Sequence, residues 1–202
     1  MHTYTYLALG DSYTIGEAVL LQKSFPYQAV ALLRKEGISI NAPEIIAKTG
    51  WTTDELENGI KQFAFLPKYD FVTLLIGVNN QYRGRDIIVY KEQFESLLKK
   101  AIAFADGKQD HVIVLSIPDY SVTPFAEEKD PQKIRKEIDE YNTLNKAISI
   151  QYKAQYLEIT ESTRKAKANQ ALVASDGLHP SEKEYGKWAK KLVELMKNKM
   201  KK

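Results

Sequence analysis

Residues 71–80, FVTLLIGVNN, decide the fold of this chain. The first six are apolar except for one threonine, which is typical of a strand that is buried on both faces. Such strands occur in parallel sheets that helices cover on both sides. Four more short runs with strand character predict further strands, at residues 4–9, 44–47, 111–117 and 156–159.

Amphipathic helical patterns separate these strands. They cover residues 24–35, a segment that begins at 52, residues 90–105, 131–152 and 161–168, and a final helix that begins at 181. Thr52 and Ser181 each have a glutamate three positions on, as in a capping box, and Asp130-Pro131 is a cap followed by proline. Strands alternating with helices favour βαβ units. We therefore predict one α/β domain over residues 1–202, a flavodoxin-like three-layer α/β/α sandwich around a five-stranded parallel sheet.

Composition and charge exclude several classes of protein. Of the 202 residues, 44% are apolar and 27% are charged, and the net charge of +3 is too small to indicate nucleic-acid binding. Without cysteine the chain has no disulfide, thiolate nucleophile or sulfur-ligated zinc. No apolar stretch reaches the ~18–20 residues of a membrane span. We interpret the basic C-terminus as a solvated helix end; its lysines are Lys197, Lys199, Lys201 and Lys202.

Residues 1–9 lack the basic, apolar and small-residue sections of a signal peptide and run directly into the first predicted strand. We therefore expect a cytoplasmic protein, or a secreted or periplasmic one from which a leader has been removed. The oligomeric state has no signature in the sequence.

Glycines and polar residues lie where the predicted strands end. Residues 10–12 (GDS) follow the first strand, residues 49–51 (TGW) the second and residues 77–80 (GVNN) the third. Residues 176–180 (DGLHP) precede the final helix. Ligands of open α/β sheets bind outside the carboxyl ends of the strands. We expect these four segments to share one pocket.

Their side chains suit nucleophilic catalysis. A serine hydroxyl is a weak nucleophile until a base removes its proton, and histidine, which titrates near neutral pH, is the usual base. A carboxylate beside the histidine, as Asp176 is beside His179, can hold the ring in one tautomer. Attack of Ser12 on an ester carbonyl creates an oxyanion, which backbone N–H groups and uncharged amides stabilise. Gly50 and Asn79 are suitable residue types for these donors, together with the N–H of Ser12.

The four segments resemble the sequence blocks of the SGNH hydrolase superfamily, the GDSL lipases and esterases, and the resemblance spans almost the whole chain. It implies that Ser12 is the nucleophile, that His179 is the base and that Asp176 orients the base. It also implies an oxyanion hole formed by the N–H of Ser12, the N–H of Gly50 and the side chain of Asn79. The matching blocks are residues 10–13, 50, 77–80 and 176–180.

Two positions depart from the pattern of the family. Tyr13 stands where the family name has leucine, and Asn80 stands where aspartate is common. We interpret Asp11 and Asn80 as residues that brace their loops rather than as catalytic groups. No G-x-S-x-G elbow surrounds Ser12, which argues against an α/β-hydrolase. The absence of a P-loop and of G-x-G-x-x-G argues against nucleotide binding.

Irregular segments near the same edge are candidates for contacts to the substrate, although each could instead pack on the core. Two apolar residues shortly follow the nucleophile, one aromatic residue follows Gly50, and two more lie in the loop at residues 119–130. These candidates are Leu20, Leu21, Trp51, Tyr120 and Phe125.

The resemblance implies a serine esterase that acts on small-molecule carboxylic esters and needs neither a metal nor another cofactor. Its substrates would range from small acyl esters and acetylated sugars to lysophospholipids. Two alternatives remain at this point: an acyltransferase or thioesterase that uses the same site, and a non-catalytic binding domain with the same fold.

Overall fold

A five-stranded parallel sheet organises the chain in a computed structural model that describes residues 2–200. The strand order is β2-β1-β3-β4-β5, and each neighbouring pair is parallel. This is the flavodoxin-like order, so the predicted fold class is confirmed. The strands are β1 (Tyr6–Asp11), β2 (Glu44–Lys48), β3 (Phe71–Leu75), β4 (Val112–Leu115) and β5 (Gln155–Leu157).

Helices cover both faces of this sheet. Within residues 2–200 they are α1 (Ser12–Ile15), α2 (Phe25–Lys35), α3 (Thr53–Ile60), α4 (Val78–Tyr82), α5 (Ile87–Phe104), α6 (Pro131–Gln151), α7 (Thr160–Arg164) and α8 (Glu182–Lys197). Right-handed crossovers place α2 on one face and α3, α5 and α6 on the other, because the strand order reverses after β2. Helix α8 packs against α2 and completes the first layer.

The centre of the sheet forms the core. Every residue of β3 and β4 is buried, as predicted for strands that are covered on both faces. In the ladder Leu74 lies between Leu9 of β1 and Val114 of β4, so apolar side chains stack across three strands. This buried centre holds the carboxyl ends of β1 and β3 at one edge.

Two of the three predicted helix starts are confirmed. Thr52 and Glu55 form a capping box at the start of α3, where the Glu55 carboxylate accepts the Thr52 N–H at 2.9 Å. Asp130 caps α6 by accepting two backbone N–H groups, both at 3.0 Å. Both arrangements satisfy N–H groups that have no partner within the helix.

The capping box predicted at Ser181 and Glu184 is wrong, although α8 does begin after Ser181. The Ser181 hydroxyl donates instead to the carbonyl of Ala171, at 2.8 Å. Glu184 turns inward, is 1% exposed and accepts the indole N–H of Trp188. A buried indole needs an acceptor, and that need outweighs the local capping contact.

The first strand and the last helix have bounds that differ from the prediction or sharpen it. Strand β1 begins two residues later than predicted and continues to Asp11, where it pairs with Lys48 of β2. Helix α8 ends at Lys197, and Lys199 forms an ion pair with Asp110. The last two lysines of the predicted basic tail, Lys201 and Lys202, lie outside the described residues.

Candidate active site

Ser12 is the first residue of α1, directly after β1. Asp11 ends the strand and caps the helix, because its carboxylate accepts the N–H of Tyr13 at 3.0 Å. The helix lasts four residues and is capped by Gly16, whose φ of 78° is left-handed. Ser12 is 4% exposed and stands at the carboxyl end of an interior strand, where the sequence placed it.

Asp176 and His179 contact each other through a single local turn. The Asp176 Oδ2 atom lies 2.6 Å from His179 Nδ1. Since a carboxylate can only accept, Nδ1 carries the hydrogen of the neutral ring and Nε2 is left as an acceptor. The other oxygen, Oδ1, accepts the N–H groups of Leu178 and His179, both at 3.0 Å. These bonds outweigh the effect of burial and hold the pKa of Asp176 below its usual range.

Gly50 occupies a tight turn after β2. The turn is closed by the Trp51 N–H, which donates to the carbonyl of Lys48 at 3.2 Å. Gly50 is its third residue and has a φ of 83°, the value for this position in a type II turn. Within the described part of the chain, the Gly50 N–H donates no hydrogen bond. This donor is therefore free for a ligand.

Asn79 is the second residue of α4, which begins directly after Gly77. Its amide nitrogen donates to the carbonyl of Trp51 at 3.1 Å and to Asp11 Oδ2 at 3.3 Å. Two acceptors on one side establish which end of the amide is nitrogen. The bond to Asp11 is the longer of the two. Breaking it to donate to an oxyanion therefore costs less free energy than breaking the bond to Trp51.

One cavity of about 120 Å³ brings these residues together. Its walls include Ser12, Gly50, Asn79 and His179, and Asp176 lies directly behind His179. The Ser12 hydroxyl makes no hydrogen bond to any residue in the range 2–200; catalytic hydrogen bonds often tighten only when substrate is bound. The four predicted segments therefore share one pocket. This agrees with the strand-end rule, by which ligands of open α/β sheets bind outside the carboxyl ends of the strands.

Among the five candidates for substrate contacts, only Tyr120 and Phe125 line this cavity. Leu20 and Leu21 are exposed and are not part of its walls. The ring of Trp51 lies over Gly59 of α3, where a side chain at position 59 would collide with it. These three side chains are therefore not part of the cavity walls: both leucines face solvent, and the indole covers a helix.

Tyr82 is a cavity residue that the sequence reasoning missed. Its ring lies 6.2 Å from that of Tyr120 and 5.8 Å from that of Phe125, so three aromatic rings form one wall. Tyr82 lies three positions after Asn79 on the same side of α4, but the sequence does not predict this short helix and so gave no signal for Tyr82. The remaining lining residues are Tyr13, Thr49, Val78 and Leu178.

The loop at residues 119–130 is tied to the rest of the site. Asp119 forms an ion pair with Arg164 at 2.8 Å, and the Tyr120 hydroxyl donates to Gln81 at 2.9 Å. The Phe125 N–H donates to the carbonyl of Gly177, in the turn that carries Asp176 and His179. The aromatic wall is therefore connected to the histidine turn by a main-chain bond.

Asp11 is a buried carboxyl group beside the cavity. Burial raises its pKa to about 7, although hydrogen bonds from the Tyr13 N–H and the Asn79 amide act in the opposite direction. The group therefore titrates near neutral pH. Its position at the N-terminus of α1 and its contact to Asn79 agree with the bracing role expected from the sequence.

Residues 2–200 contain neither a metal site of clustered ligands nor a membrane-spanning helix. No group of three or more histidine, cysteine, aspartate or glutamate side chains is placed to hold a metal ion. No described helix is both long and apolar enough to cross a membrane.

The fold and the cavity together define a class of protein: a flavodoxin-like sheet whose strand ends bring a serine, a glycine, an asparagine and an acid–histidine turn into one pocket. Residues 8–187 match the model of the GDSL-like lipase/acylhydrolase family, and the chain belongs to that family. Membership supports an ester hydrolase.

Individual relatives are distant. An acetylxylan esterase of Geobacillus stearothermophilus is 25% identical over 185 residues, which cover 86% of this chain and 75% of the relative. The solved structure of the acetylxylan esterase Axe2 from the same organism has a TM-score of 0.74 at 20% identity, and the match covers 96% of this chain and 94% of Axe2. A lipase/acylhydrolase from Enterococcus faecalis has a TM-score of 0.76 at 17% identity, over 98% of both chains. At these identities the two structures show a common fold.

Proposed function

We propose that this chain is a serine esterase that hydrolyses carboxylic esters through an acyl-enzyme, with Ser12, His179 and Asp176 as its catalytic triad. One observation carries the proposal: the 2.6 Å contact between Asp176 and His179 leaves the acceptor Nε2 on a histidine that shares a 120 Å³ cavity with Ser12. Nucleophilic catalysis needs a ring nitrogen that can accept the proton of a nearby serine hydroxyl, and Nε2 is such a nitrogen.

The reaction has two halves. In the first, His179 Nε2 takes the Ser12 proton while Oγ attacks the ester carbonyl, and collapse of the tetrahedral intermediate expels the alcohol, which receives that proton. In the second, water attacks the acyl-enzyme, gives a proton to Nε2 and releases the carboxylic acid, and the proton returns to Ser12. Asp176 holds the ring and stabilises the imidazolium in both halves.

The oxyanion formed in each half is stabilised by three donors: the N–H of Ser12, the N–H of Gly50 and the amide of Asn79. The free Gly50 N–H supports this role. Asn79 joins by giving up its long bond to Asp11, at 3.3 Å, while it keeps the shorter one to Trp51. The Gly50 N–H has no hydrogen bond to give up, so the cost of reorganisation is limited to the one long bond of Asn79.

The cavity favours a short acyl group. Its volume of about 120 Å³ is below the ~150 Å³ of an apolar cavity that accommodates benzene, so an acetyl to butyryl group fills it and longer chains extend outside. The apolar wall of Tyr82, Tyr120 and Phe125 suits such a group. The acetylxylan esterase relative supports acetylated sugars as substrates, and lysophospholipids are the long-chain alternative.

Two measurements test the proposal. p-Nitrophenyl esters from acetate to palmitate, together with acetylated xylo-oligosaccharides, should show the highest kcat/KM for acyl groups of about two to four carbons. A fluorophosphonate probe should label the wild type and the Ser96→Ala variant, whose exposed serine lies on α5, but not the Ser12→Ala variant. Labelling of the Ser12→Ala variant would rule out Ser12 as the nucleophile. A wild type with neither turnover nor labelling would indicate a non-catalytic binding domain.

A further inference from the structure

The turn that carries Gly50 lies outside the regular sheet. Strand β2 ends at Lys48, and one turn hydrogen bond, from Trp51 to Lys48, closes the segment on itself. Gly50 adopts a left-handed φ that few other residues tolerate. Since the sheet does not hold this turn, its position relative to Ser12 and Asn79 depends on other contacts.

Helix α4 and the cap residue that follows it supply two of those contacts; a third is the hydrogen bond that the Thr49 hydroxyl donates to the Glu17 carboxylate. Two consecutive carbonyl groups of the turn accept the α4 contacts: the Asn79 amide donates to Trp51 at 3.1 Å, and Arg83 Nη2 donates to Gly50 at 2.6 Å. Arg83 is the C-cap residue directly after α4, and its own N–H donates to the carbonyl of Asn79. The backbones of the two donor residues are therefore joined by a main-chain hydrogen bond.

Glu55 orients the guanidinium of Arg83. Its two carboxylate oxygens lie 3.1 and 3.2 Å from Arg83 Nη1, and one of them also accepts the Thr52 N–H in the capping box of α3. A planar guanidinium can bond to two acceptors at once in a defined geometry, which an ammonium group does less well. The fork of Arg83 thus spans the start of α3 and the carbonyl of Gly50.

We propose that Arg83 is a positioning residue for the oxyanion hole: by holding the Gly50 carbonyl, it sets the separation between the Gly50 N–H and the Asn79 amide. This role rests on the proposed esterase function. Arg83 does not line the cavity, so it acts on the oxyanion hole through Gly50. Small displacements of an oriented donor reduce catalysis strongly, which makes the position of the turn a determinant of rate.

A purely structural role predicts a different outcome. The side chains of Arg83 and Glu55 are each 38% exposed, and ion pairs with this much exposure contribute little to stability. If the pair only joined α3 to α4, its loss would lower stability slightly and leave kcat unchanged. If it positions the oxyanion hole, kcat falls while KM and thermal stability change little.

Arg83→Met, Arg83→Lys and Arg85→Met test this difference. Arg85→Met is the matched control, because Arg85 is exposed in the same loop and its loss makes the same change in charge. With p-nitrophenyl acetate we expect Arg83→Met to lower kcat by about 10- to 100-fold, with KM within about twofold of the wild type. We expect Arg85→Met to keep kcat within about twofold. Lysine cannot span both acceptors, so Arg83→Lys should have an intermediate kcat.

If the wild type shows turnover that depends on Ser12, equal kcat values for Arg83→Met and Arg85→Met would overturn the positioning role of Arg83 and leave the proposed esterase function intact. If the wild type has no such turnover, the proposed function fails and this role fails with it. If Arg83→Met does not fold, Arg83→Lys decides: a folded variant with a reduced kcat supports the proposal, and one with the wild-type kcat overturns it.

Discussion

Replacing Asp176 by asparagine tests the acid–histidine contact with the smallest change in shape. In the wild type, Oδ1 accepts two backbone N–H groups at 3.0 Å and Oδ2 lies 2.6 Å from His179 Nδ1. Asparagine can keep Oδ1 in place, which preserves the turn, but then its NH₂ group points at Nδ1. The opposite rotamer would point the NH₂ group at two backbone donors, which is worse.

The expected magnitude follows from the tautomer. With an NH₂ group opposite, Nδ1 must accept, so the ring hydrogen moves to Nε2 and the histidine can no longer take a proton from Ser12. The same exchange in a serine protease triad lowers kcat by ~10⁴-fold, equivalent to about 5.5 kcal/mol. Because the Asp176 side chain is 32% exposed, water can partly replace the carboxylate, and we expect a loss of about 10²- to 10⁴-fold.

The assay is the initial rate of p-nitrophenyl acetate hydrolysis at saturating substrate, with Asp106→Asn as a surface control. Urea unfolding should show that Asp176→Asn is folded. Since the pKa of Asp176 is lowered, its contribution to stability is present above the ordinary aspartate pKa of about 4 and is lost below it, so the two proteins should converge in stability at acidic pH. A folded Asp176→Asn variant with a kcat within about tenfold of the wild type would refute this reasoning.

Three further predictions concern the residues around the oxyanion. Asn79→Ala should lower kcat by about 10²- to 10³-fold with a small change in KM, measured by steady-state kinetics; a loss below about tenfold would remove Asn79 from the hole. Gly50→Ala should destabilise the fold by about 1–2 kcal/mol in urea unfolding, because φ is 83° there, and should also lower kcat; an unchanged unfolding midpoint would contradict the strain. Asp11 binds its proton up to about pH 7 in the folded state but only to about pH 4 when unfolded, so it should make the unfolding free energy fall as pH rises between these values. Asp11→Asn should flatten that slope in urea titrations at pH 5 and pH 8, and an unchanged slope would contradict the raised pKa.

The sheet could be predicted because both burial and topology constrain its strands. A strand that is buried on both faces must be apolar at almost every position, and the run FVTLLI has this property in the sequence alone. The strand-end rule then placed Ser12, Gly50 and Asn79 at one edge before any contact was known. Both inferences follow from burial and topology, which leave a local trace in the chain.

Polar side chains with several possible partners were harder to predict. Ser181 and Glu184 have the spacing of a capping box, yet each has a partner from another part of the chain or helix, Ala171 and Trp188. Leu20 and Leu21 are apolar and close to the nucleophile in sequence, but the four-residue helix α1 turns the chain away from the cavity before it reaches them. The Ser181 contact and the course of the chain after α1 are tertiary features that spacing does not record. Glu184 could reach either Ser181 or Trp188 within the helix, and burial of the indole decides between them.

Helix α4 combines residues that the sequence predicted, such as Asn79, with a conformation that it did not predict. Its five residues are too few for a hydrophobic period to predict a helix, and the sequence indicated only a turn that bears an asparagine. Once the helix is known, Asn79, Tyr82 and Arg83 fall at positions i, i+3 and i+4 and therefore share one face. That face directs an amide to the Gly50 turn, a ring to the cavity wall and a guanidinium to the Gly50 carbonyl. Donor, wall and support of the proposed site thus depend on one helical turn, so a substitution that unwinds α4 should damage binding and catalysis together, whereas Arg83→Met should affect kcat alone.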